Sequence, residues 1–162
     1  ADEVITGFGR TGNWFASQTM NLKPDVVTLA KGLTSGYMPM SAVLVSDKIA
    51  EHLINEGGEF YHGFTYSGHP VSAAVALANL ELIETEGLIE HVRDITAPHL
   101  ANAIKQLDSH PLVGETRSFG LLACSSAAVR RAAKHKVPWA SEAIKHVATI
   151  SLQDFVLHLP PE

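Results

Sequence analysis

Residues 25–39 read DVVTLAKGLTSGYMP, and this stretch decides the fold. From Asp25 to Ala30 the side chains form a continuous β-branched and aliphatic run. That pattern is expected of a strand buried on both faces in a parallel sheet. A second such run, MSAVLVS, covers Met40 to Ser46, and Val4 and Ile5 predict a shorter strand near the start. Between the two long runs, KGLTSGYMP is rich in turn residues. In open α/β sheets the ligand site lies beyond the carboxyl ends of the strands, and Lys31 is the residue standing there.

The opening residues ADEVITGFGRTG contain G-x-G-x-x-G from Gly7 to Gly12. A dinucleotide-binding loop needs a helix of ten or more residues opening on its last glycine and an acidic residue well downstream. Here Asn21 and Pro24 interrupt any helix too soon, and Asp25 lies too close to serve as the ribose ligand. The glycines are therefore expected to permit tight turning and close packing near the site.

Composition excludes several classes of function. The 162 residues have a net charge of −5, and no basic stretch interleaved with aromatics is present, so no nucleic-acid footprint is expected. Arg130, Arg131, Lys134 and Lys136 read as a solvated helix face. The single cysteine, Cys124, allows no internal disulfide and fits a reducing compartment. With no signal peptide and no long apolar run, a cytoplasmic location is expected, with no membrane partner. Nine histidines invite a metal reading, but no His-x3-His pair or Cys-x2-Cys motif occurs, and no metal site is expected. No G-x-S-x-G motif supports a serine hydrolase.

Downstream, Pro70 opens a predicted helix in which Val71, Ala74, Val75, Ala78 and Leu82 share one face. After Gly87 a second helix carries Ile89, Val92, Leu100, Ile104 and Leu107, with a kink expected at Pro98. LVGETRSFGLLA, Leu112 to Ala123, reads as a strand or hairpin. Further helices are expected over Ala127–Lys136 and Ser141–Ala148. Strands and helices in this order predict an α/β layer architecture with a mostly parallel sheet.

Lys31 and Asp2 carry the chemistry. A lysine at a strand end can be a solvent-reaching side chain, or, when desolvated, a nucleophilic amine suited to Schiff-base formation. Asp2 lies on the preceding predicted strand, so both residues could flank one ligand. Pyridoxal phosphate requires a lysine and a carboxylate facing its ring nitrogen. Val4, two residues from Asp2, would face the same side of a strand and press on the ring. Asp2 could equally be a turn or capping residue.

Three ordered segments, DEVITGFGRTG, KPDVVTLAKGLTSGYMPMSAVLV and HGFTYSGHPVSAAVALANLELIE, resemble the class III pyridoxal-phosphate aminotransferases. The likeness is greatest to the omega-amino-acid, diamine or polyamine:pyruvate branch. It implies an internal fragment of the fold type I architecture, with a mostly parallel large-domain sheet and flanking helices. It also implies that Lys31 is the catalytic Schiff-base lysine and proton shuttle, that Asp2 pairs with the ring nitrogen and that Val4 packs on the ring. Phe64 and Thr65 match the segment that reaches across a dimer interface to the partner subunit's cofactor phosphate. A hydroxyl and an N–H in a glycine-flanked turn suit an anion, although Thr65 could instead cap the helix that Pro70 begins. Arg10 could be structural or lie near the substrate carboxylate.

The implied reaction transfers an amino group from an amine, diamine or omega-amino acid to pyruvate or another keto acid, in a homodimer or higher homo-oligomer. An ornithine- or diaminopelargonate-type aminotransferase and a truncated, inactive subunit are the alternatives. Residues 1–107 are expected to belong to the cofactor-binding large domain, 108–123 to start the small domain, and 124–162 to form a divergent tail. Upstream, the family's phosphate loop and ring-stacking aromatic have no counterpart here; downstream, neither has its substrate-carboxylate arginine. The loss of pattern after Ala123 leads us to expect a frameshift, a splicing difference or a gene-prediction artefact, and an isolated chain that is inactive.

Overall fold

The computed structural model describes residues 1–127; the predicted helix Ser141–Ala148 lies outside that range, as does Ala127–Lys136 except for Ala127, which ends a strand. Among the described residues the chain forms two compact units, Ala1–Leu100 with Phe119–Leu122, and Ala101–Ser118 with 123–127.

In the first unit, a single turn of helix, α1 (Ala16–Thr19), precedes β1 (Val26–Leu29). A 3-10 turn at Lys31–Leu33 and a loop lead to β2 (Ala42–Val45). The two β-rich runs thus form strands where expected, but they pair antiparallel, Val26 opposite Val45 and Leu29 opposite Ala42. Parallel pairing needs a crossover, usually a helix. Residues 30–41 hold only the 3-10 turn and loop, so the parallel expectation fails for this pair. The parallel contact here is a bridge between Asp2 and Thr28. Nor are the strands buried on both faces: Leu29 is 4% exposed, whereas Val43 is 62% exposed. Val4 and Ile5 form no strand. Residues 4–11 turn continuously, with the Gly7 N–H donating to the Glu3 carbonyl at 2.9 Å and that of Gly12 to the Gly9 carbonyl at 2.9 Å.

Helix α2 (Asp47–Asn55) was not anticipated. Its local signals are Ser46 ahead of an acidic first turn and the Ile49/Leu53 spacing. The Ser46 backbone takes the extended N-cap conformation, and its carbonyl accepts from Ile49 and Ala50. Helix α3 (Pro70–Thr85) begins at its proline as expected, because the missing N–H falls where no intrahelical partner exists. The buried residues are Ser72, Ala76 and Ile83, not the predicted face: Val71 and Leu82 are about half exposed. PVSAAVALANL is apolar on nearly every side, so helical spacing alone does not select the buried stripe. Helix α4 (Leu88–His91) passes into a π-helical turn at Val92–Thr96 and then α5 (Ala97–Lys105). The break anticipated at Pro98 is this π turn. Proline donates no hydrogen bond and its ring crowds the carbonyl four residues back, so the helix widens there.

The first unit packs α3 against the Lys31–Leu33 turn and against α4, with Leu29, Leu33, Ala76, Ile83 and Ile89 buried. The second unit contains the end of α5 and most of the expected hairpin, β3 (Val113–Phe119) paired with β4 (Leu122–Ala127). There the Thr116 hydroxyl donates to the Asp108 carboxylate at 2.6 Å. No helix among the described residues is long and apolar enough to cross a membrane.

Candidate active site

Lys31 leaves β1 through a sharp change of backbone. Ala30 is extended, and Lys31 has φ +44, in the left-handed region that a side chain with a Cβ rarely occupies. Such a conformation persists only where its surroundings impose it. Two neighbours do so. Gly32 is pressed against Phe8: a Cβ there would lie 3.0 Å from the Phe8 ring and Cβ. On the other side Asn79 of α3 donates from Nδ2 to the carbonyls of Gly32 (2.8 Å) and Leu33 (3.2 Å), while its Oδ1 accepts from the Ser35 hydroxyl (2.7 Å). The lysine is exposed, not desolvated, and among the described residues it forms no ion pair. It lines a cavity of about 550 Å³ together with Phe8, Arg10, Ser35, Ile83 and Val92. Arg10, whose role the sequence left open, thus shares the lysine's cavity, and its carbonyl also accepts from the Leu121 N–H at 2.8 Å.

Asp2 is fastened to β1 just upstream of the lysine. The backbone of Thr28 receives from the Glu3 N–H (2.9 Å) and donates to the Ala1 carbonyl (3.0 Å), bracketing Asp2. The Asp2 Oδ1 accepts from the Val4 N–H (3.0 Å) and the Thr28 hydroxyl (3.3 Å), while Oδ2 has no partner among the described residues. The expected arrangement of Asp2 and Lys31 on adjacent segments is therefore present, but on one bridge and not on a strand pair. Strand alternation does not orient Val4, because Val4 lies in a turn. Its N–H instead holds it beside the Asp2 carboxylate.

Glu3 was missed entirely, and it is the most deeply buried acid here, 2% exposed. Its Oε1 accepts from the Ser17 N–H (2.7 Å), and its Oε2 accepts from the Ala16 N–H (3.0 Å) and the Thr6 hydroxyl. Burial pushes the carboxyl's pKa up, but the hydrogen bonds from Thr6 and from the Ser17 and Ala16 N–H groups outweigh it. The carboxyl is held below its ordinary value. The glutamate so ties the Asp2 segment to the start of α1. Sequence offered no signal for this, since an acid beside Asp2 reads as a surface residue.

The glycine-rich turn is confirmed as a packing device. Gly12, at φ +83, lies so close to the π turn that a Cβ would meet Arg93 Cβ at 3.0 Å and Cα at 3.2 Å. Phe64 and Thr65 sit elsewhere, in the segment before α3. Phe64 is 75% exposed and lines a second cavity with Met38, Pro39, Ser41 and His69. Thr65 is exposed and does not cap α3, whose N-cap residue is His69. Asp2 is thus tied to Thr28 on β1, three residues before Lys31, while Phe64 lines a different cavity from that of Lys31. Among the described residues no group of three His, Cys, Asp or Glu side chains could hold a metal ion.

Residues 1–150 match the sequence pattern of the family described as Aminotransferase class-III, so the match extends beyond Ala123. The chain belongs to the class-III aminotransferases. Over 123 residues it is 58% identical to a putrescine–pyruvate aminotransferase of Pseudomonas aeruginosa, covering 76% of this chain and 27% of that protein. It is 48% identical over 125 residues to a probable mitochondrial gamma-aminobutyrate transaminase 3 of Oryza sativa subsp. indica, covering 75% and 24% of the two chains. The chain therefore spans about a quarter of the length of these curated relatives. Among solved structures, it resembles an (S)-enantioselective omega-transaminase from Thermomicrobium roseum with TM-score 0.74 and 50% identity, over 78% of this chain and 28% of that one. The omega-transaminase of Pseudomonas jessenii in complex with PMP gives TM-score 0.77 and 44% identity, over 83% and 30%. The α/β fold described above is a part of the fold of these class-III transaminases.

Proposed function

We propose that this chain is the lysine-bearing part of a pyridoxal-phosphate-dependent transaminase that moves an amino group from an amine, diamine or omega-amino acid to pyruvate or another keto acid. The observation that carries the reading is the juxtaposition at β1: Lys31 stands at the strand's end in a left-handed backbone, and Asp2 is fastened to Thr28 on the same strand. Family membership and the amine-directed names of the relatives support the same reaction class.

The residues fit the cofactor. Asp2 has one carboxylate oxygen committed to the protein and the other unclaimed among the described residues, as a group that must accept from a ring N–H requires. Among the described residues Lys31 offers an amine outside any ion pair. Lys31 would hold the cofactor covalently through Nζ and, once displaced by the amino donor, would carry the proton to and from the substrate carbon. Asp2 would keep the ring nitrogen protonated, and Val4, held beside it, would press on the ring. Bound pyridoxal phosphate supplies an electron sink for the negative charge that develops at that carbon. Thr65, exposed in a turn before α3, with its hydroxyl unengaged among the described residues, would bind the phosphate of a partner subunit's cofactor in a homodimer, with Phe64 beside it.

The test is to mix the chain with pyridoxal phosphate, reduce with borohydride and map the modified lysine by mass spectrometry. Pyridoxyl label confined to Lys31, and abolished by Lys31→Ala, is the expected result. Label scattered over other lysines, such as Lys23 and Lys48, would sink the assignment of Lys31. Labelled chain without turnover of any amine donor would identify an inactive part of the enzyme.

A further inference from the structure

The turn at Lys31 is closed by one good backbone bond, from the Leu33 N–H to the Ala30 carbonyl at 3.0 Å, and by weaker ones beyond it. Within it the Thr34 N–H reaches the Lys31 carbonyl at 3.3 Å and the Ser35 N–H reaches the Gly32 carbonyl at 3.4 Å, both long for amide hydrogen bonds. The Lys31 φ of +44 adds a conformation that an unconstrained lysine leaves. The carbonyls that follow the lysine are held from outside: Asn79 Nδ2 lies 2.8 Å from the Gly32 carbonyl, and the same nitrogen reaches that of Leu33. Its two N–H groups thus go to the two residues immediately after the lysine, and its Oδ1 takes the Ser35 hydroxyl. The amide has one workable orientation, because the reverse would set its oxygen against two carbonyl oxygens. All three bonds cross more than forty residues of sequence and anchor the turn to α3, whose neighbouring Ala76 and Ile83 are buried.

We propose that Asn79 is a positioning residue for Lys31: by fixing the carbonyls of Gly32 and Leu33 it holds the lysine in its left-handed backbone and so fixes where the amine stands. Asn79 does not touch the amine; it acts through the turn. Phe8 also packs against Gly32, so loss of the asparagine removes one of the two contacts that hold the turn. This role rests on the assignment of Lys31 as the cofactor lysine, and its test separates the two.

The first arm needs no cofactor. Amide hydrogen exchange is followed for residues 31–37 in the 162-residue chain, in Asn79→Ala, in Asn79→Asp and in Ala76→Gly. Alanine keeps α3 helical while removing all three bonds. Aspartate keeps the acceptor for Ser35 but offers neither carbonyl a donor. Ala76→Gly weakens the same helix and leaves the three Asn79 bonds in place. Exchange in the turn should rise about tenfold in both Asn79 variants and stay near that of the parent in Ala76→Gly. An equal rise in Ala76→Gly, or none in Asn79→Ala, would overturn the proposal. The second arm follows the pH dependence of the visible absorption of the pyridoxal-phosphate-loaded chain, together with the rate of borohydride trapping at Lys31. The Asn79 variants should shift the pH midpoint and slow trapping about tenfold, as misplaced reacting groups do, while Ala76→Gly changes neither. Parent-like midpoints and rates in the Asn79 variants would refute the positioning role. Failure of the parent chain to label Lys31 would instead retire the transaminase reading, leaving the exchange arm to decide whether Asn79 governs the turn.

Discussion

Replacing Glu3 with glutamine tests whether a buried carboxylate holds the Asp2 segment in place. The carboxylate takes two backbone N–H groups and a hydroxyl with its two oxygens. Glutamine keeps one oxygen. In its best orientation that oxygen stays on the Ser17 N–H, and the new amide group donates to the Thr6 hydroxyl, which can reverse its role. The Ala16 N–H then faces a donor and is left buried and unpaired, at a cost of about 1–3 kcal/mol. The bonds that remain lose their charge assistance, roughly another 1 kcal/mol. Glu3→Gln should therefore destabilise the chain by about 2–4 kcal/mol at neutral pH, read from the midpoint of urea unfolding at unchanged slope. The pH dependence fixes the cause. Because the folded-state pKa lies below the ordinary one, the stabilisation from ionised Glu3 is complete above the unfolded-state value of about 4.3 and disappears as pH falls through the lower folded-state value. The gap between parent and variant should accordingly be constant from pH 7 to about pH 5 and narrow in more acid solution. A loss below about 0.5 kcal/mol at pH 7, or a gap that widens in acid, would show that the carboxylate's hydrogen bonds do not hold this segment.

Gly12→Ala forces a left-handed alanine into contact with the Arg93 backbone, and a loss of about 2–4 kcal/mol in urea unfolding is expected. Gly120→Ala should be at least as harmful, since its Cβ would overlap the Arg10 carbonyl and lie 2.7 Å from Thr11 Cα at φ +60; a parent-like unfolding midpoint would contradict that packing. Asp2→Asn should leave the unfolding midpoint within about 0.5–1 kcal/mol of the parent, because among the described residues the exposed carboxylate makes two hydrogen bonds and the amide oxygen can accept both. Its pyridoxal phosphate retention on dialysis should nevertheless fall, and undiminished retention would argue against Asp2 as the ring-nitrogen partner. Thr65→Val should weaken cofactor retention only at protein concentrations where the chain self-associates, which a dilution series reads directly.

Much of this protein was legible without coordinates because its signals are local. The β-branched run at 26–29 makes a strand by side-chain shape, Pro70 starts α3 because its missing N–H costs nothing there, and Pro98 disrupts the following helix wherever it is placed. The resemblance of three ordered segments to the class-III aminotransferases selected Lys31 and Asp2, one in the turn that follows β1 and the other bridged to Thr28 of that strand. What the sequence could not supply depends on partners distant in the chain. Strand direction at β1 and β2 followed from the absence of a crossover helix between them. The buried face of α3 followed from what lies against it, since the helix is apolar nearly all round. Glu3 and Asn79 are ordinary polar residues in sequence. One is buried because the turn folds its carboxylate onto the start of α1, and the other grips the lysine turn only because α3 packs there. Local conformational preference and residue chemistry determined which pieces form and which residues are candidates for the chemistry. Tertiary packing alone decided how those pieces face one another, because hydrogen bonds and burial across tens of residues leave no mark on the spacing of the sequence.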